Sequence, residues 1–316
     1  METEKWILRG FENEEVNALA IDPENPSTLY VTTREGVFKS VNSGETWRAL
    51  NAATETHLND ALVIDPKDSS ILYGIGRGVQ SGGLYESADA GESWSEVKTD
   101  LHPVVLNCMS RSSGLAIDPK EPAKLYLIGP DFWVSEDRGR HWRRLDNSES
   151  PVLTLAIDPK EPSTLYLGTT HNDAKKSTDG GKLWQNLAVL EEPLPIYSIA
   201  IDPENSAILY AATYYGLYKS TNAGEGLSWR EINNGVDISG YGYSSGGGSI
   251  VIDGSKPSTI YASVGGVVYL STNRGETWTV AGTGLQGGAI KQLVVDPKNS
   301  SILYARGTRG LWQLGP

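Results

Sequence analysis

Residues 40–47 read Ser-Val-Asn-Ser-Gly-Glu-Thr-Trp, and this octet decides the fold because it returns along the chain. Its pattern is Ser-x-(Asp/Asn)-x-Gly-x-x-Trp. It recurs at 87–94, 135–142, 177–184 and 271–278, and in a copy from Ser220 whose tryptophan, Trp229, comes two residues late. A second marker, Ile-Asp-Pro or a close variant, recurs out of phase with the octet, at Asp22, Asp65, Asp118, Asp158, Asp202, Asp253 and Asp296. Seven markers spaced 40 to 53 residues apart indicate seven copies of one supersecondary unit.

One copy, residues 16–50, predicts four short strands. Residues 16–21 are mainly apolar, and residues 28–32 are mainly β-branched and aromatic, as is typical of strands. Glycine, proline and asparagine separate these runs from the third and fourth, at 36–40 and 46–50. No helical period appears, and four antiparallel strands per copy are typical of a propeller blade. The sequence therefore predicts an all-β, seven-bladed β-propeller.

The chain ends predict how this propeller closes. The seventh copy stops after its third strand, at residues 310–314, and has no octet. The N-terminal run Lys-Trp-Ile-Leu-Arg at residues 5–9 resembles the fourth strand of the first copy. We therefore predict that residues 4–9 form the outer strand of blade seven, and that residues 1–316 form one domain without an exposed edge at the closure.

Composition limits the classes of function. The formal net charge of −12 disfavours binding to nucleic acid, whose phosphates attract clustered Lys and Arg. No apolar run is long enough to span a membrane, and no signal peptide is recognisable. One cysteine excludes an internal disulfide, and the four histidines lack metal-ligand spacing. We expect a monomer without metal or cofactor.

The octet resembles the Asp-box, also called the BNR repeat, which is found in sialidases, xyloglucanase-type endoglucanases, sortilin-like receptors and photosystem II assembly and stability factors. Seven blades in one short chain are most similar to the last group. The resemblance implies that the motif lies on the turn between the third and fourth strands, away from the functional face, and is compatible with a secreted or periplasmic mature form. Because fold alone does not define function, the other loops must supply it.

Four arginines are predicted to meet on the face formed by the turns between second and third strands. Arg34, Arg77, Arg306 and Arg309 lie in these turns of blades one, two and seven, which are neighbours in the predicted ring. In an acidic chain they predict a docking site for an acidic segment, through bidentate guanidinium pairing. The alternative is a set of solvated arginines paired with nearby acids such as Glu35. Photosystem II assembly factors are known for an arginine patch, although it cannot be matched here residue by residue.

A second sector of the same face is aromatic and acidic. Blades three to six contribute Asp131, Phe132, Trp133, His171, Asp173, Tyr214, Tyr215, Tyr241 and Tyr243. Aromatic platforms with a few polar groups suit sugar rings or peptides, unless the rings pack onto their own loops. Glycoside hydrolysis needs two carboxylates, for which Asp131 and Asp173 are the loop pair to test. In the turn that resembles the catalytic loop of xyloglucanases, tyrosine stands where the carboxylate would be.

The sequence therefore predicts a non-catalytic propeller that binds a protein or other macromolecular partner through the arginines. Carbohydrate binding or hydrolysis at the aromatic sector is the alternative, and a repetitive scaffold without a selected ligand is a third interpretation.

Overall fold

The computed structural model describes residues 4–50, 58–77, 82–102, 105, 114–146, 150–171, 173–188, 195–226, 228–239, 248–286 and 288–316, without the side chains of residues 59, 77, 146, 173 and 188. Among these residues, none forms a helix with the length and hydropathy that a membrane crossing requires. The chain divides into two compact units: a first unit of residues 9–151 and a second unit of residues 1–8 and 152–316. The extent of the domain as residues 1–316 stays a prediction.

The first unit contains three antiparallel four-stranded sheets, in which strands follow one another in chain order. Blade one consists of β2 (Ala18–Ile21), β3 (Leu29–Thr33), β4 (Gly36–Ser40) and β5 (Arg48–Ala49). Blade two consists of β6 (Leu58–Asp65), β7 (Asp68–Arg77), β8 (Gly82–Ser87) and β9 (Ser95–Glu96). Blade three consists of β10 (Gly114–Ile117), β11 (Leu125–Ile128), β12 (Phe132–Ser135) and β13 (Arg143–Asp146).

The second unit repeats this pattern in three further sheets. Blade four consists of β14 (Val152–Ile157), β15 (Leu165–Thr169), β16 (Asp173–Ser177) and β17 (Gln185–Ala188). Blade five consists of β18 (Ile196–Ile201), β19 (Leu209–Thr213), β20 (Gly216–Ser220) and β21 (Arg230–Glu231). Blade six consists of β22 (Ser249–Ile252), β23 (Ile260–Val264), β24 (Val267–Ser271) and β25 (Thr279–Val280).

Blade seven joins the two ends of the chain. It consists of β26 (Ile290–Val295), β27 (Leu303–Gly307), β28 (Gly310–Leu314) and β1 (Ile7–Gly10), in the order β1-β28-β27-β26. Trp6, just before β1, is buried, and its Nε1 donates a 2.7 Å hydrogen bond to the carbonyl of Ala281. The predictions of seven four-stranded blades and of an N-terminal outer strand are confirmed.

Each Asp-box closes its own turn. In blade one, Ser40 Oγ accepts hydrogen bonds from the backbone N–H of Asn42 and Gly44, at 3.2 and 2.9 Å, and Asn42 Oδ1 accepts one from Thr46 N–H at 3.0 Å. Gly44 has a φ of +84°, and Ser43 before it has a φ of +56°. The predicted left-handed glycine is therefore confirmed, together with a left-handed residue before it that the sequence did not indicate.

The Ile-Asp-Pro aspartates are also structural, as predicted. The carboxylate of Asp22 accepts hydrogen bonds from the N–H of Glu24 and Asn25, which caps the turn between β2 and β3. The bond from the N–H two residues on recurs in the other blades, at Asp65, Asp118, Asp158, Asp202, Asp253 and Asp296. These side chains are all buried and therefore serve the turn rather than a ligand.

Each blade buries a tyrosine of its second strand. All seven follow a buried leucine or isoleucine and are themselves buried: Tyr30, Tyr73, Tyr126, Tyr166, Tyr210, Tyr261 and Tyr304. Burial, with a smaller contribution from Asp22 and Glu92, raises the pKa of Tyr30 to about 12. Its hydroxyl donates a 3.0 Å hydrogen bond to the carbonyl of Ala90, in the Asp-box of the next blade. The hydroxyl of Tyr210 likewise donates to the carbonyl of Arg274, so these two tyrosines connect adjacent blades.

Candidate functional site

The two ends of each blade differ in composition. At one end lie the Asp-box turns and the Ile-Asp-Pro turns, which we call the Asp-box end. At the other, which we call the loop end, lie the turns between second and third strands and the links between blades. The residues proposed from the sequence all come from the loop end, where side chains are not repeated from blade to blade.

Two of the predicted arginines lie in the first unit. The side chain of Arg34 is 83% exposed, and its Nε lies 3.7 Å from the carboxylate of Glu35. Arg77 ends β7, opposite Gly82, and its side chain is outside the described residues. Arg34 therefore fits the alternative interpretation, in which a solvated arginine is paired with a nearby acid.

The other two arginines lie on blade seven, in the second unit. Arg306 is half-buried, and its Nε donates a 2.7 Å hydrogen bond to Gln292 Oε1 on the neighbouring strand. Arg309 lies exposed in the turn between β27 and β28, and no described carboxylate forms an ion pair with it. The φ of Gly288 is +144°, and a Cβ at that position would lie 3.1 Å from Arg309 Cγ. The stem of Arg309 therefore rests on the backbone of Gly288.

Three first strands of the second unit contain a feature that the sequence analysis missed. The register shifts between Val152 and Thr154 in β14, between Ile196 and Ser198 in β18, and between Ile290 and Gln292 in β26. Each shift is a β-bulge that leaves one extra residue, namely Leu153, Tyr197 or Lys291. Bulges redirect a side chain and are frequent beside binding sites. Lys291 thereby joins Arg306 and Arg309 at the loop end of blade seven.

The aromatic sector is best defined on blade five. The rings of Tyr214 and Tyr215 lie edge to face, with centroids 5.1 Å apart and planes at 74°. Tyr215 is 53% exposed, and its N–H donates to Thr213 Oγ1, which fixes the turn. Tyr197, the bulged residue of β18, is half-buried, and burial, aided by Tyr214, raises the pKa of its hydroxyl. These three tyrosines form a cluster that we call the tyrosine cluster.

The remaining members of the predicted aromatic sector give less support to a ligand-binding surface. Phe132 is fully buried and stacks on Tyr126, so its assignment to a ligand surface is wrong. Trp133 packs against the core, and Asp131 Oδ1 lies 2.5 Å from a guanidinium nitrogen of Arg144. Exposed His171 has its Nδ1 2.8 Å from Thr170 Oγ1.

Three predicted residues cannot be placed. Tyr241, Tyr243 and the side chain of Asp173 lie outside the described residues. Within the described ranges, no group of three or more histidine, cysteine, aspartate or glutamate residues could hold a metal ion.

Comparison with known proteins identifies the fold. The family model described as Sortilin, neurotensin receptor 3 (Sortilin-Vps10) matches residues 82–190. A xyloglucanase from Paenibacillus sp is 23% identical over 299 residues, covering 84% of this chain and 26% of the relative. The GH74 xyloglucanase from Xanthomonas campestris aligns with a TM-score of 0.76 and 18% identity, covering 98% of this chain and 53% of that one. A structure of YCF48 bound to D1 peptide aligns with a TM-score of 0.70 and 12% identity, covering 100% of this chain and 97% of that one. The chain is a seven-bladed Asp-box β-propeller.

This propeller shares its fold with proteins of different activities. Identities below 25% to the solved structures show a common fold and no more. The propeller spans between 6% and 26% of the length of the curated relatives it matches. The resemblances expected from the Asp-boxes are confirmed for sortilin-type, xyloglucanase-type and YCF48 propellers. Their activities do not transfer with the fold.

At the Asp-box end, the propeller also carries ion pairs between neighbouring blades. Glu276, in the Asp-box of blade six, lies 3.2 Å from Lys219 Nζ and also pairs with Arg230, both on blade five. Arg274 of the same box pairs with Asp202 and Glu204. Equivalent pairs join Lys39 and Arg48 to Glu92, Glu86 to Arg138, and Lys176 to Glu225. At this end, ion pairs between charged side chains therefore link neighbouring blades.

Proposed function

We propose that this propeller is a non-catalytic scaffold that binds an anionic segment of a protein partner at its loop end, through Arg34, Arg77, Arg306 and Arg309. The observation that carries the proposal is Arg309, an exposed guanidinium that no described acid neutralises. Ion pairing already occupies most described arginines at the Asp-box end.

Charge and geometry support this proposal. In a chain of net charge −12, Lys291, Arg306 and Arg309 concentrate positive charge at one blade. Gln292 orients the guanidinium of Arg306, and Gly288 supports the stem of Arg309, so less side-chain freedom is lost on binding. A guanidinium can pair with a carboxylate through two parallel hydrogen bonds, which gives orientation as well as attraction.

A structural neighbour supports the class of partner. YCF48, which aligns along the whole chain, has been solved with D1 peptide. Because this neighbour shares the fold and little of the sequence, it raises the expectation of a peptide partner without naming one.

The test compares charge reversals at the two ends of the blades. A variant carrying Arg34→Glu, Arg77→Glu, Arg306→Glu and Arg309→Glu would be titrated with matched pairs of fluorescent peptides. One peptide of each pair contains glutamates, and the other has glutamine in their place. We expect the unmodified protein to bind glutamate peptides tightly and glutamine peptides weakly, the fourfold variant to bind both weakly, and affinity to fall with salt concentration. Lys182→Glu, an exposed cation at the Asp-box end, is the control and should bind as the unmodified protein does. Equal affinity for glutamate and glutamine peptides would refute the proposal.

The tyrosine cluster favours a second candidate function, carbohydrate binding. Tyr215 presents an exposed ring, and aromatic rings pack against sugar faces. A glycan array and a panel of β-glucan substrates would test binding and hydrolysis together. We expect any signal to disappear in Tyr215→Ala, and an absence of both binding and hydrolysis would eliminate this candidate.

A further inference from the structure

The tyrosine cluster and the cations of blade seven lie on either side of blade six. The first strands of blades five, six and seven are neighbours, because Ser198 Oγ accepts a hydrogen bond from Ile250 N–H and Ser249 Oγ accepts one from Leu293 N–H. All three blades belong to the second unit. Packed sheets are about 10 Å apart, so blade five and blade seven are separated by about 20 Å.

Blade six, which lies between them, has a turn without bulky side chains at the loop end. Its turn at the loop end is formed by Gly265 and Gly266, with φ of +59° and +81°, where blade five has Tyr214 and Tyr215. A Cβ on Gly266 would lie 2.7 Å from the carbonyl oxygen of Gly288, so the turn and the following link lie backbone against backbone. We call Gly265, Gly266 and Gly288 the glycine saddle.

The three saddle residues themselves carry no side chain that would hold a ligand away from their backbone. Glycine allows close approach of main chain to ligand, and a larger residue at Gly266 or Gly288 would be strained. Among the described residues, the saddle therefore lies between an aromatic surface and a cationic one.

We infer that an extended peptide crosses the glycine saddle, with a carboxylate side chain paired to Arg309 and an aromatic or aliphatic side chain packed on Tyr215 about six residues away. The spacing follows from the separation of about 20 Å and an extended rise of about 3.3 Å per residue. This inference rests on the proposed function, and it adds a second anchor and a defined distance between the two anchors.

Charge and shape favour a peptide over a neutral glycan. A neutral sugar leaves the guanidinium of Arg309 without a counter-charge, whereas an acidic side chain pairs with it. Separate anchors joined by a plain backbone are also typical of extended peptide ligands, whose specificity comes from a few side chains.

The experiment uses synthetic peptides and fluorescence anisotropy. The reference peptide has one glutamate and one tryptophan separated by five Gly and Ser residues, and it is made in both chain directions. Three further peptides replace glutamate by glutamine, replace tryptophan by alanine, or shorten the spacer to two residues. Each is titrated against the unmodified protein, Arg309→Glu, Tyr215→Ala and Tyr215→Phe, with Leu183→Ala as the control. Leu183 is 76% exposed at the Asp-box end of the same unit.

We expect one direction of the reference peptide to bind, with affinity falling at least tenfold in Arg309→Glu and several-fold in Tyr215→Ala. Tyr215→Phe keeps the ring and should bind normally, as should Leu183→Ala. The short-spacer peptide should bind no better than the peptide without tryptophan.

The remaining outcomes separate this inference from the proposed function. Binding that depends on glutamate and Arg309, but not on tryptophan, spacing or Tyr215, would overturn the inference and leave the proposed function intact. Equal binding of glutamate and glutamine peptides would overturn both. The last ligand to be titrated is an acidic glycan, oligogalacturonate. If it bound in a manner that required both Arg309 and Tyr215 while no peptide bound, the inferred ligand would be a sugar acid and the peptide inference would be overturned.

Discussion

The Asp-box end and the loop end are built from the same strands, yet they use polar residues in opposite ways. At the Asp-box end, Ser271 and Asn273 close a turn and Glu276 reaches two cations on the neighbouring blade. At the loop end, Arg309 and Tyr215 are exposed on turns whose backbone is supported by other groups. The difference indicates that one end stabilises the blades and that the other is free to vary, so substitutions should affect stability at the first and binding at the second.

The largest expected loss of stability is at the closure of blade seven. Trp6→Ala removes a side chain that is 6% exposed and its hydrogen bond to Ala281, and large buried aromatics cost about 3–5 kcal/mol when truncated to alanine. Urea unfolding would measure the loss. Ile7→Ala, the next residue and 44% exposed, is the control and should cost under about 1 kcal/mol. Similar losses in both variants would show that Trp6 does not anchor the strand.

A smaller loss is expected within one Asp-box turn. Ser271 Oγ accepts hydrogen bonds from Asn273 N–H and from the buried N–H of Gly275. Ser271→Ala leaves these donors without that partner, which costs about 1–3 kcal/mol. Ser95→Ala is the matched control, because the exposed hydroxyl of Ser95 makes one long hydrogen bond of 3.4 Å to the carbonyl of Glu86, and little change in urea unfolding is expected. No difference between the two serines would contradict the role of the box as a turn closure.

The repeated end is also the part that the sequence predicts well. The octet and the Ile-Asp-Pro marker identify the blades, because each depends on local turn chemistry that recurs six or seven times, and the spare N-terminal strand completes the count. Trp229 marks the limit of this reasoning: after a two-residue insertion its buried Nε1 has no hydrogen-bond partner among the described residues, whereas Trp278 Nε1 donates to Ile232.

Features that depend on register between strands could not be read from the sequence. The bulges that release Tyr197 and Lys291 leave no mark in the alternation of apolar residues, because the residues around them remain plausible strand formers. The pairing of Glu276 with Lys219 joins residues 57 positions apart, so only the packing of adjacent blades reveals it. Phe132 was misassigned for the same reason, since strand position rather than residue type decides whether an aromatic ring is buried.

A pH-dependent contribution is expected from the Asp-box of blade three. His141 Nδ1 lies 2.6 Å from Asp137 Oδ2, and the hydrogen bond and charge of Asp137 raise the pKa of His141. Although desolvation opposes it, hydrogen bonding from the backbone and side chain of His141 holds the pKa of Asp137 well below its usual range. Stability from His141 is complete below about pH 6.5 and is lost as pH rises through its raised pKa. Stability from Asp137 is present above about pH 4 and is lost as pH falls through its lowered pKa.

The pair should therefore stabilise the protein most between about pH 4 and 6.5. We expect His141→Gln to lower the melting temperature more at the acid end of this window than at about pH 8.5. His171→Gln is the control and should show no such difference, because the described contact of His171 is with Thr170 and no described carboxylate pairs with it. A His141→Gln shift of the same size at both pH values would contradict the ion pair.

The smallest expected effect on stability comes from reversing the charge of Arg309. Because Arg309 is exposed and unpaired among the described residues, Arg309→Glu should change the free energy of unfolding by no more than about 0.5 kcal/mol. Arg274→Glu makes the same substitution at the Asp-box end, where it would place a carboxylate beside the buried Asp202 and the carboxylate of Glu204, so urea unfolding should show a clear loss. Acidic-peptide binding should respond in the reverse order, strongly to Arg309→Glu and hardly to Arg274→Glu at temperatures where both variants are folded. If both substitutions lowered stability equally, Arg309 would be a structural residue like Arg274, and the loop end would lose its claim to be the binding surface.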